Sequence, residues 1–525
     1  MRRGRLAVMA WRQVRTSAVV VALVLVGGVR ATVATYGASG GARGMIAVLP
    51  LLHNPAVEAL DGRVTTLATG GAYVQWKMGA WMALALAAWG ALLATRVTRG
   101  AEDVGTWDLI AVAPPGRRRA FDVSVVALAL AAVLAGVATA LGLALGSQSV
   151  ADSVLYGAGI AGVVALGAGT GLVAAQLGAP RRSASQVAMV ALTAAFLARV
   201  VADGSHGAGW LRALTPFGWL ESLGAFQHRE PGWLALLLGV PVVLAGTARI
   251  LQSRRDVGIA PFARADTSRA HLVTLRSVAG FAVRQRRPVT LTWAGGLAVL
   301  ALVMGYLTHS LVAFAHTDPA YVALLSRWGI GAMVSVPGFV GELAVNVSLA
   351  LALFALAMTA VVGSDRLAGR LDVALSAVSR TRWILAAFAS TLAAAVVLGA
   401  VTGIFVWVGV RLGGAPLSVG HVAAAVGNAL VVVPLAAGFG SLASVVAARL
   451  AVVVGATLLA LSYLVAVFAA PLHWPGWVSA ASPWRYLRVV PPASAGPTST
   501  IVLLAVGLAL EAAAVVLFVR RDVVA

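Results

Sequence analysis

Cysteine is absent from the 525 residues, lysine occurs once, and charged residues make up only 11% of the chain. The first absence excludes disulfides, thiolate metal sites and cysteine nucleophiles. The second is more restrictive. A phosphate-binding P-loop needs Gly-x-x-x-x-Gly-Lys-Ser/Thr, because backbone N–H groups cradle the phosphates and the lysine reaches their far end. The single lysine, Lys77, stands in Trp76-Lys77-Met78 with no such glycine frame before it. Any ATP-driven step must therefore draw on another polypeptide. The scarcity of charge excludes an ordinary soluble globule, which carries about 25% charged residues.

Signals for catalysis are equally thin. There is no Gly-x-Ser-x-Gly elbow for a serine nucleophile. His53, Glu58 and Asp61 share one loop but lack metal-ligand spacing. Glu58 and Asp61 are the only paired carboxylates there that a lipid-linked glycosyltransferase reaction would use. The reading is of a protein with no catalytic residue, no metal and no cofactor of its own.

What the chain has is apolar sequence: 60% hydrophobic residues and a mean hydropathy of +0.92. The apolar runs have the roughly 20-residue length that a helix needs to cross a bilayer, and not the short alternating strands of a membrane barrel. Twelve spanning helices are expected, near 18–37, 72–95, 122–146, 154–177, 186–202 and 232–250, then near 289–313, 341–363, 383–410, 419–446, 450–470 and 499–519. The formal charge of +21 comes from 38 arginines and one lysine against 18 acids. The basic residues lie in short clusters between apolar runs, which is what membrane topology demands and not what nucleic acid binding needs. With both termini in the cytoplasm, 28 of the 39 basic residues fall on the cytoplasmic side, as the positive-inside rule expects. Arg30 interrupts the first apolar run, which reads as an anchor and not as a cleaved signal.

The chain also repeats itself. Gly105-Thr106-Trp107-Asp108-Leu109 aligns with Gly369-Arg370-Leu371-Asp372-Val373 at an offset of 264. Trp210 to Pro216 aligns with Trp477 to Pro483 at 267, and Arg12-Gln13 with Arg284-Gln285 at 272. Three collinear matches indicate two six-helix halves of like orientation, the parallel repeat related by an axis along the membrane normal. The expected division is 1–250 for the first half, 251–288 for a basic cytoplasmic linker and interfacial helix, and 289–525 for the second half. The interface on the pseudo-twofold axis is the natural place for a site.

The segment from Arg99 through Glu102, Gly105, Thr106, Trp107, Asp108 and Leu109 to Pro114, Pro115 and Arg117 resembles the loop between the second and third helices of ABC-2-type permeases. Gly369 to Arg382 is similar to the same loop, with Arg370 and Leu371 replacing Thr106 and Trp107. The Thr215-Pro216-Phe217-Gly218-Trp219 turn resembles another feature of that family. The chain as a whole is most similar to its fused two-half members, described as exporters of polyketide antibiotics and other drugs. The resemblance implies an all-α fold with twelve spans in two parallel repeats, and a bacterial cytoplasmic membrane location. Two copies of a separately encoded ATPase, carrying ATP and Mg, would bind beneath it. It makes Glu102, Gly105, Thr106, Trp107, Asp108, Leu109 and Arg117 one ATPase-coupling segment, and Gly369, Arg370, Asp372, Arg380 and Arg382 the other. Physically, Asp108 and Asp372 suit a short helix start, and Trp107 and Leu109 suit an apolar groove on a partner.

The resemblance further implies that the second and fifth helices, with the eighth and eleventh, line the substrate cavity. Candidate lining residues are Met78, Trp81, Met82, Met189, Phe196, Asn346, Phe354, Met358, Tyr463 and Phe468. An aromatic and methionine lining suits small amphipathic or apolar cargo, because methionine adapts to varied shapes; the same residues equally suit plain helix packing. Lys77 and Glu342 occupy nearly matched places and are expected to pair near the outer face, or else to snorkel separately to the interface. Arg30, Asn346, His421, Asn428 and Glu511 are further polar groups within spans. Leu6–Arg15 and Ser277–Arg287 read as amphipathic interfacial helices. The aromatic outer loops around Trp210, Phe217, Trp219 and Phe226, and around Trp474, Trp477, Trp484 and Tyr486, read as interfacial belts, as short re-entrant helices, or as a mixture of the two. A lipid or glycolipid exporter on the same scaffold, an ion-coupled secondary transporter and a membrane enzyme stand as alternatives.

Overall fold

In the computed structural model, the structure describes residues 3–46, 49–52, 55–103, 105, 116–178, 180–204, 207–254, 277–317, 319–367 and 369–520. Among them the regular structure is entirely helical. Twelve of these helical stretches are long and apolar enough to cross a membrane: α1 Leu6–Ala38, α2 Gly70–Asp103, α3 Arg117–Ala144, α4 Val150–Leu177, α5 Arg181–Gly204, α6 Trp233–Arg254, α7 Val278–Thr317, α8 Val336–Leu367, α9 Arg380–Leu412, α10 Val419–Val446, α11 Ala451–Ala469 and α12 Pro497–Arg520. Each overlaps one expected span, and several run further at their ends, by up to twelve residues at the start of α1 and eleven at the start of α7. The protein is a multi-pass membrane protein. By contacts the chain divides into two units, Met1–Thr267 and Ser268–Ala525.

Helix starts follow from short polar residues. Thr69 accepts from the Ala72 backbone N–H at 3.1 Å to begin α2, and Ser335 accepts from Gly338 at 3.2 Å, with Pro337 in the first turn, to begin α8. A cap of this kind satisfies a backbone donor that no intrahelical carbonyl can reach. The expected interfacial helices are not separate elements. Leu6–Arg15 continues into α1 and Val278–Arg287 into α7, because nothing at Arg15–Thr16 breaks the helix and Pro288 is accommodated within it. At 1.5 Å per residue the 40-residue α7 is about 60 Å long, twice the hydrocarbon thickness. Its basic first turns therefore extend beyond the apolar layer.

In the first unit α4 is central, packed on α2, α3 and α6. Its glycines allow this: the Cα faces of Gly157, Gly167 and Gly171 lie against backbone of Gly136, Ala87 and Ala91. Small residues are the usual currency of close helix approach in lipid, where apolar side chains gain nothing from leaving the bilayer. In the second unit α7 packs along α9, and α10 packs on α8 and α12. The core there is built on Leu351, Phe354, Phe388, Leu398, Val432 and Trp484.

One packing motif occurs in both units. Gly142 and Gly146, at the end of α3, lie against Val26, Val29 and Val33 of α1. Gly409 and Gly413 lie against Leu302 and Tyr306 of α7. Both pairs are Gly-x-x-x-Gly, separated by 267 residues.

Candidate functional site

The connector after α8 is the better described of the two expected coupling segments. Gly369 adopts φ +67°, a left-handed turn that glycine enters without steric cost. No atom crowds the place where its Cβ would be, so the requirement is conformational. The turn launches the short helix Arg370–Leu375. This helix is two-faced. Leu371, 1% exposed, packs with Val362, Ile384, Val445 and Phe518, and Leu375 adds to that cluster. Asp372 is exposed and Val373 is 77% exposed. Arg370 donates from Nε and Nη2 to Oδ1 of the buried Asp365, at 3.1 and 2.8 Å. The pair fixes the segment's entry to the preceding helix. Arg380 donates from Nη1 to the Val519 carbonyl at 3.1 Å, tying the start of α9 to the end of α12, while the Arg382 backbone N–H is capped by Ser379.

In the first unit, Thr106, Trp107, Asp108 and Leu109 lie outside the described residues. Gly105, the counterpart of Gly369, adopts φ +73°. Glu102 accepts from Arg99 Nη1 at 2.6 Å, and both side chains are buried. Its carboxylate thus serves the end of α2 and is not presented at the surface. Beside it, Asp103 Oδ2 accepts from the Arg181 backbone N–H at 2.8 Å, which joins α2 to the start of α5. Arg117 opens α3 and is half-buried.

The expected cavity residues separate into contacts and core. Trp81 meets Phe196 with ring centroids 5.6 Å apart. The Tyr463 hydroxyl donates to Asn346 Oδ1, and Asn346 Nδ2 donates to the Glu342 carbonyl at 2.9 Å. Met78 lies against the Thr32 hydroxyl at 3.3 Å. Met82 is buried in the first unit, while Phe354 and Met358 belong to the core of the second. Met189 and Phe468 are half-buried. The ammonium of Lys77 acts on Asp61 within the first unit and lies 5.9 Å from the Trp76 ring centroid. Glu342 is buried beside Tyr463 in the second. Asn428 Nδ2 donates to the Arg488 carbonyl at 2.8 Å, and Glu511 is buried in α12. Both aromatic loops contain short helices, Gly209–Leu214 and Pro216–Ser222 in one and Gly476–Ala480 and Pro483–Tyr486 in the other.

A charged cluster in the first unit was not anticipated. Arg199, fully buried at the end of α5, pairs through Nε with Asp203 at 2.8 Å and through Nη2 with Glu221 at 2.5 Å. Its Nη1 donates to the carbonyls of Ala59 and Leu60 at 3.1 and 3.2 Å. Arg212 completes Asp203 at 2.5 Å. Burial raises the Glu221 carboxyl well above the ordinary carboxylate range, and Asp203 reinforces the rise while Arg199 opposes it. Burial also raises Asp61, from 3.8 to about 6, against the opposing charge of Lys77, a hydrogen bond from Trp81 and the charge of Arg199. The Arg199-x-x-x-Asp203 spacing was the available sequence signal, since residues four apart share a helix face. Its partners Glu221 and Arg212 come from the following loop, which spacing alone does not connect.

Comparison with known proteins agrees with the permease resemblance. Residues 275–519 match the family described as the C-terminal domain of the multidrug efflux system permease Rv1217c. The chain is 29% identical over 361 residues to the multidrug efflux system permease protein Rv1217c of Mycobacterium tuberculosis, covering 68% of this chain and 65% of that protein. The match thus spans just under two thirds of the relative's own length.

Proposed function

We propose that this chain is the permease subunit of an ATP-driven exporter that moves amphipathic or hydrophobic, drug-like compounds out across a bacterial cytoplasmic membrane. It would be a transporter subunit and not an enzyme, with both termini cytoplasmic. Hydrolysis of ATP with Mg would occur in two copies of a separate ATPase, one beneath each α2–α3 or α8–α9 connector. The observation that carries this reading is the two-faced helix Arg370–Leu375. Leu371 and Leu375 root it in the unit, while Asp372 and Val373 face outward. An element anchored on one side and presenting one acid and one aliphatic side chain on the other is suited to pass a push from a docked partner into α8 and α9. The aligned Asp108 and Leu109 would present the same chemistry from the first unit.

The twelve spans, the similarity to a multidrug permease and the absence of a P-loop around Lys77 support the same reading. The test is co-expression with an ATPase, purification of the complex in lipid nanodiscs, and measurement of drug-stimulated ATP hydrolysis. Asp372→Arg with Val373→Arg should abolish stimulation while leaving the purified chain monodisperse. Transport by the chain alone on a proton gradient would refute the proposal.

A further inference from the structure

At one aligned place the two units carry different chemistry. In the first unit Trp81 of α2 meets Phe196 of α5, with ring centroids 5.6 Å apart, and the indole N–H is spent on Asp61. The residues 265 and 267 positions later are Asn346 of α8 and Tyr463 of α11. There the contact is a hydrogen bond, from the Tyr463 hydroxyl to Asn346 Oδ1. Exposure differs too. Phe196 is buried and Trp81 half-buried, whereas Asn346 is exposed and Tyr463 half-buried. Asn346 lies about 15 Å along α8 from Val336, and Tyr463 about 18 Å along α11 from Ala451. Both stand well inside an apolar layer about 30 Å thick. An exposed carboxamide at that depth is costly against lipid, and such groups face protein or a water-filled cavity instead.

We infer that Asn346 and Tyr463 form a subsite for the hydroxyl of a neutral amphipathic cargo, while the aligned Trp81 and Phe196 offer only ring faces. The bonding capacity left at the pair is specific. A carboxamide has two N–H donors and an oxygen with two lone pairs. Asn346 gives one N–H to the Glu342 carbonyl at 2.9 Å and takes the Tyr463 proton on its oxygen. One N–H and one lone pair remain unused among the described residues. The Tyr463 oxygen has given its only proton and can only accept. Trp484 holds the Tyr463 ring edge to face at 5.6 Å, and the Trp484 N–H is fixed on Ser348 Oγ at 2.8 Å, so the hydroxyl keeps its place. One donor beside two acceptors matches a group that both accepts and donates, of which a hydroxyl is the simplest. Glu342, close enough to Tyr463 to act on it, disfavours an anion. A site built to bond a hydroxyl rejects the analogue that lacks it, because its own polar groups are then left unpaired. The cargo's role rests on the permease reading, but its binding is measured without the ATPase.

The test is equilibrium dialysis of the full chain in phosphatidylcholine nanodiscs, with binding to protein-free nanodiscs subtracted. Naphthol should bind saturably. Methoxynaphthalene, which accepts but cannot donate, and methylnaphthalene, which does neither, should bind about tenfold more weakly or worse, the worth of one good hydrogen bond. Asn346→Leu and Tyr463→Phe should each weaken naphthol about tenfold and leave methylnaphthalene unchanged. Tyr463→Phe keeps the ring against Trp484, and the ratio of the two guests is a readout that misfolding does not imitate. No saturable binding of naphthol, equal binding of methylnaphthalene, tighter binding of naphthoate or naphthylmethylammonium, or an unchanged ratio in both variants would overturn the inference. Drug-stimulated hydrolysis by the permease–ATPase complex beside any of those results would refute the subsite and leave the permease reading standing. Hydroxyl-selective binding by a chain that never stimulates an ATPase would do the reverse.

Discussion

Phe196 meets Phe217 edge to face, with centroids 5.4 Å apart and planes at 86°. At an offset of 267 residues Tyr463 meets Trp484 at 5.6 Å and 81°. In both units this contact pins the fifth span to the short helix that follows it. Each edge-to-face pair contributes about 0.5–1.5 kcal/mol beyond its buried area. The recurrence joins two others, the Gly-x-x-x-Gly packing of α3 and α9 and the left-handed Gly105 and Gly369. Together they favour a duplicated six-helix unit, and they make predictions specific to each copy.

Gly409→Ala should be more damaging than Gly142→Ala. A Cβ at Gly409 would press into the Leu302 carbonyl and lie 2.8 Å from the Tyr306 nitrogen, both backbone atoms that cannot step aside. At Gly142 the three nearest atoms lie at 3.0–3.1 Å, and two of them belong to the Val29 side chain. The expected costs are roughly 2–3 and below about 1 kcal/mol, measured by thermal unfolding in detergent. Equal effects would show that the two helix pairs are not packed as described.

Arg199→Met should destabilise the first unit by up to about 3–5 kcal/mol, because it removes the cation that Asp203 and Glu221 share, leaving Asp203 with Arg212 alone and the buried Glu221 carboxyl with no cation. Adding Glu221→Gln to Arg199→Met should recover part of the loss, since a buried ionisable group left without its cation is then gone. A double variant no more stable than the single one would contradict the assignment of Glu221 to this network.

Asp61 gives the stability a pH dependence of definite sign. Its folded-state pKa of about 6 lies above the ordinary 3.8, so the folded protein holds the proton more tightly than the unfolded chain. The stabilisation is complete below about pH 4 and is lost as pH rises through about 6, an effect on the order of 1–3 kcal/mol. Asp61→Asn should flatten the thermal midpoint across this window relative to the parent chain. A midpoint that rises between pH 4 and 6 in the parent alone would reverse the sign and refute the burial argument.

The spans were legible in the sequence because length and hydropathy settle them together, and the caps at Thr69 and Ser335 punctuate what the apolar runs begin. The connectors were legible through Gly105 and Gly369, where a required backbone conformation leaves a readable residue. Leu371 was harder. Its aligned partner, Trp107, suggested an outward-facing anchor, yet Leu371 packs inward and Val373, aligned with Leu109, faces out. Helix phase decides this, and a six-residue helix does not declare its phase in sequence. The Arg199 cluster was hidden for a different reason: its pairing of α5 with the Ala59 and Leu60 carbonyls of the short helix Pro55–Asp61 and with Glu221 is a tertiary relationship with no period. The continuity of α7 past Pro288 was missed because a proline late in a basic segment reads as a boundary, whereas the long helix absorbs it.

Leu371→Ala and Val373→Ala separate folding from coupling. The first removes a buried side chain and should cost about 2–4 kcal/mol. The second touches solvent and should stay within about 0.5 kcal/mol. A comparable loss at Val373 would mean that the short helix is turned the other way.

The most direct measurement is the ATPase rate of the purified permease–ATPase complex, with and without Asp372→Arg and Val373→Arg together. The account predicts a folded variant chain whose complex has lost drug-stimulated hydrolysis or no longer forms. Full stimulation by the variant complex, with the chain intact, would contradict it.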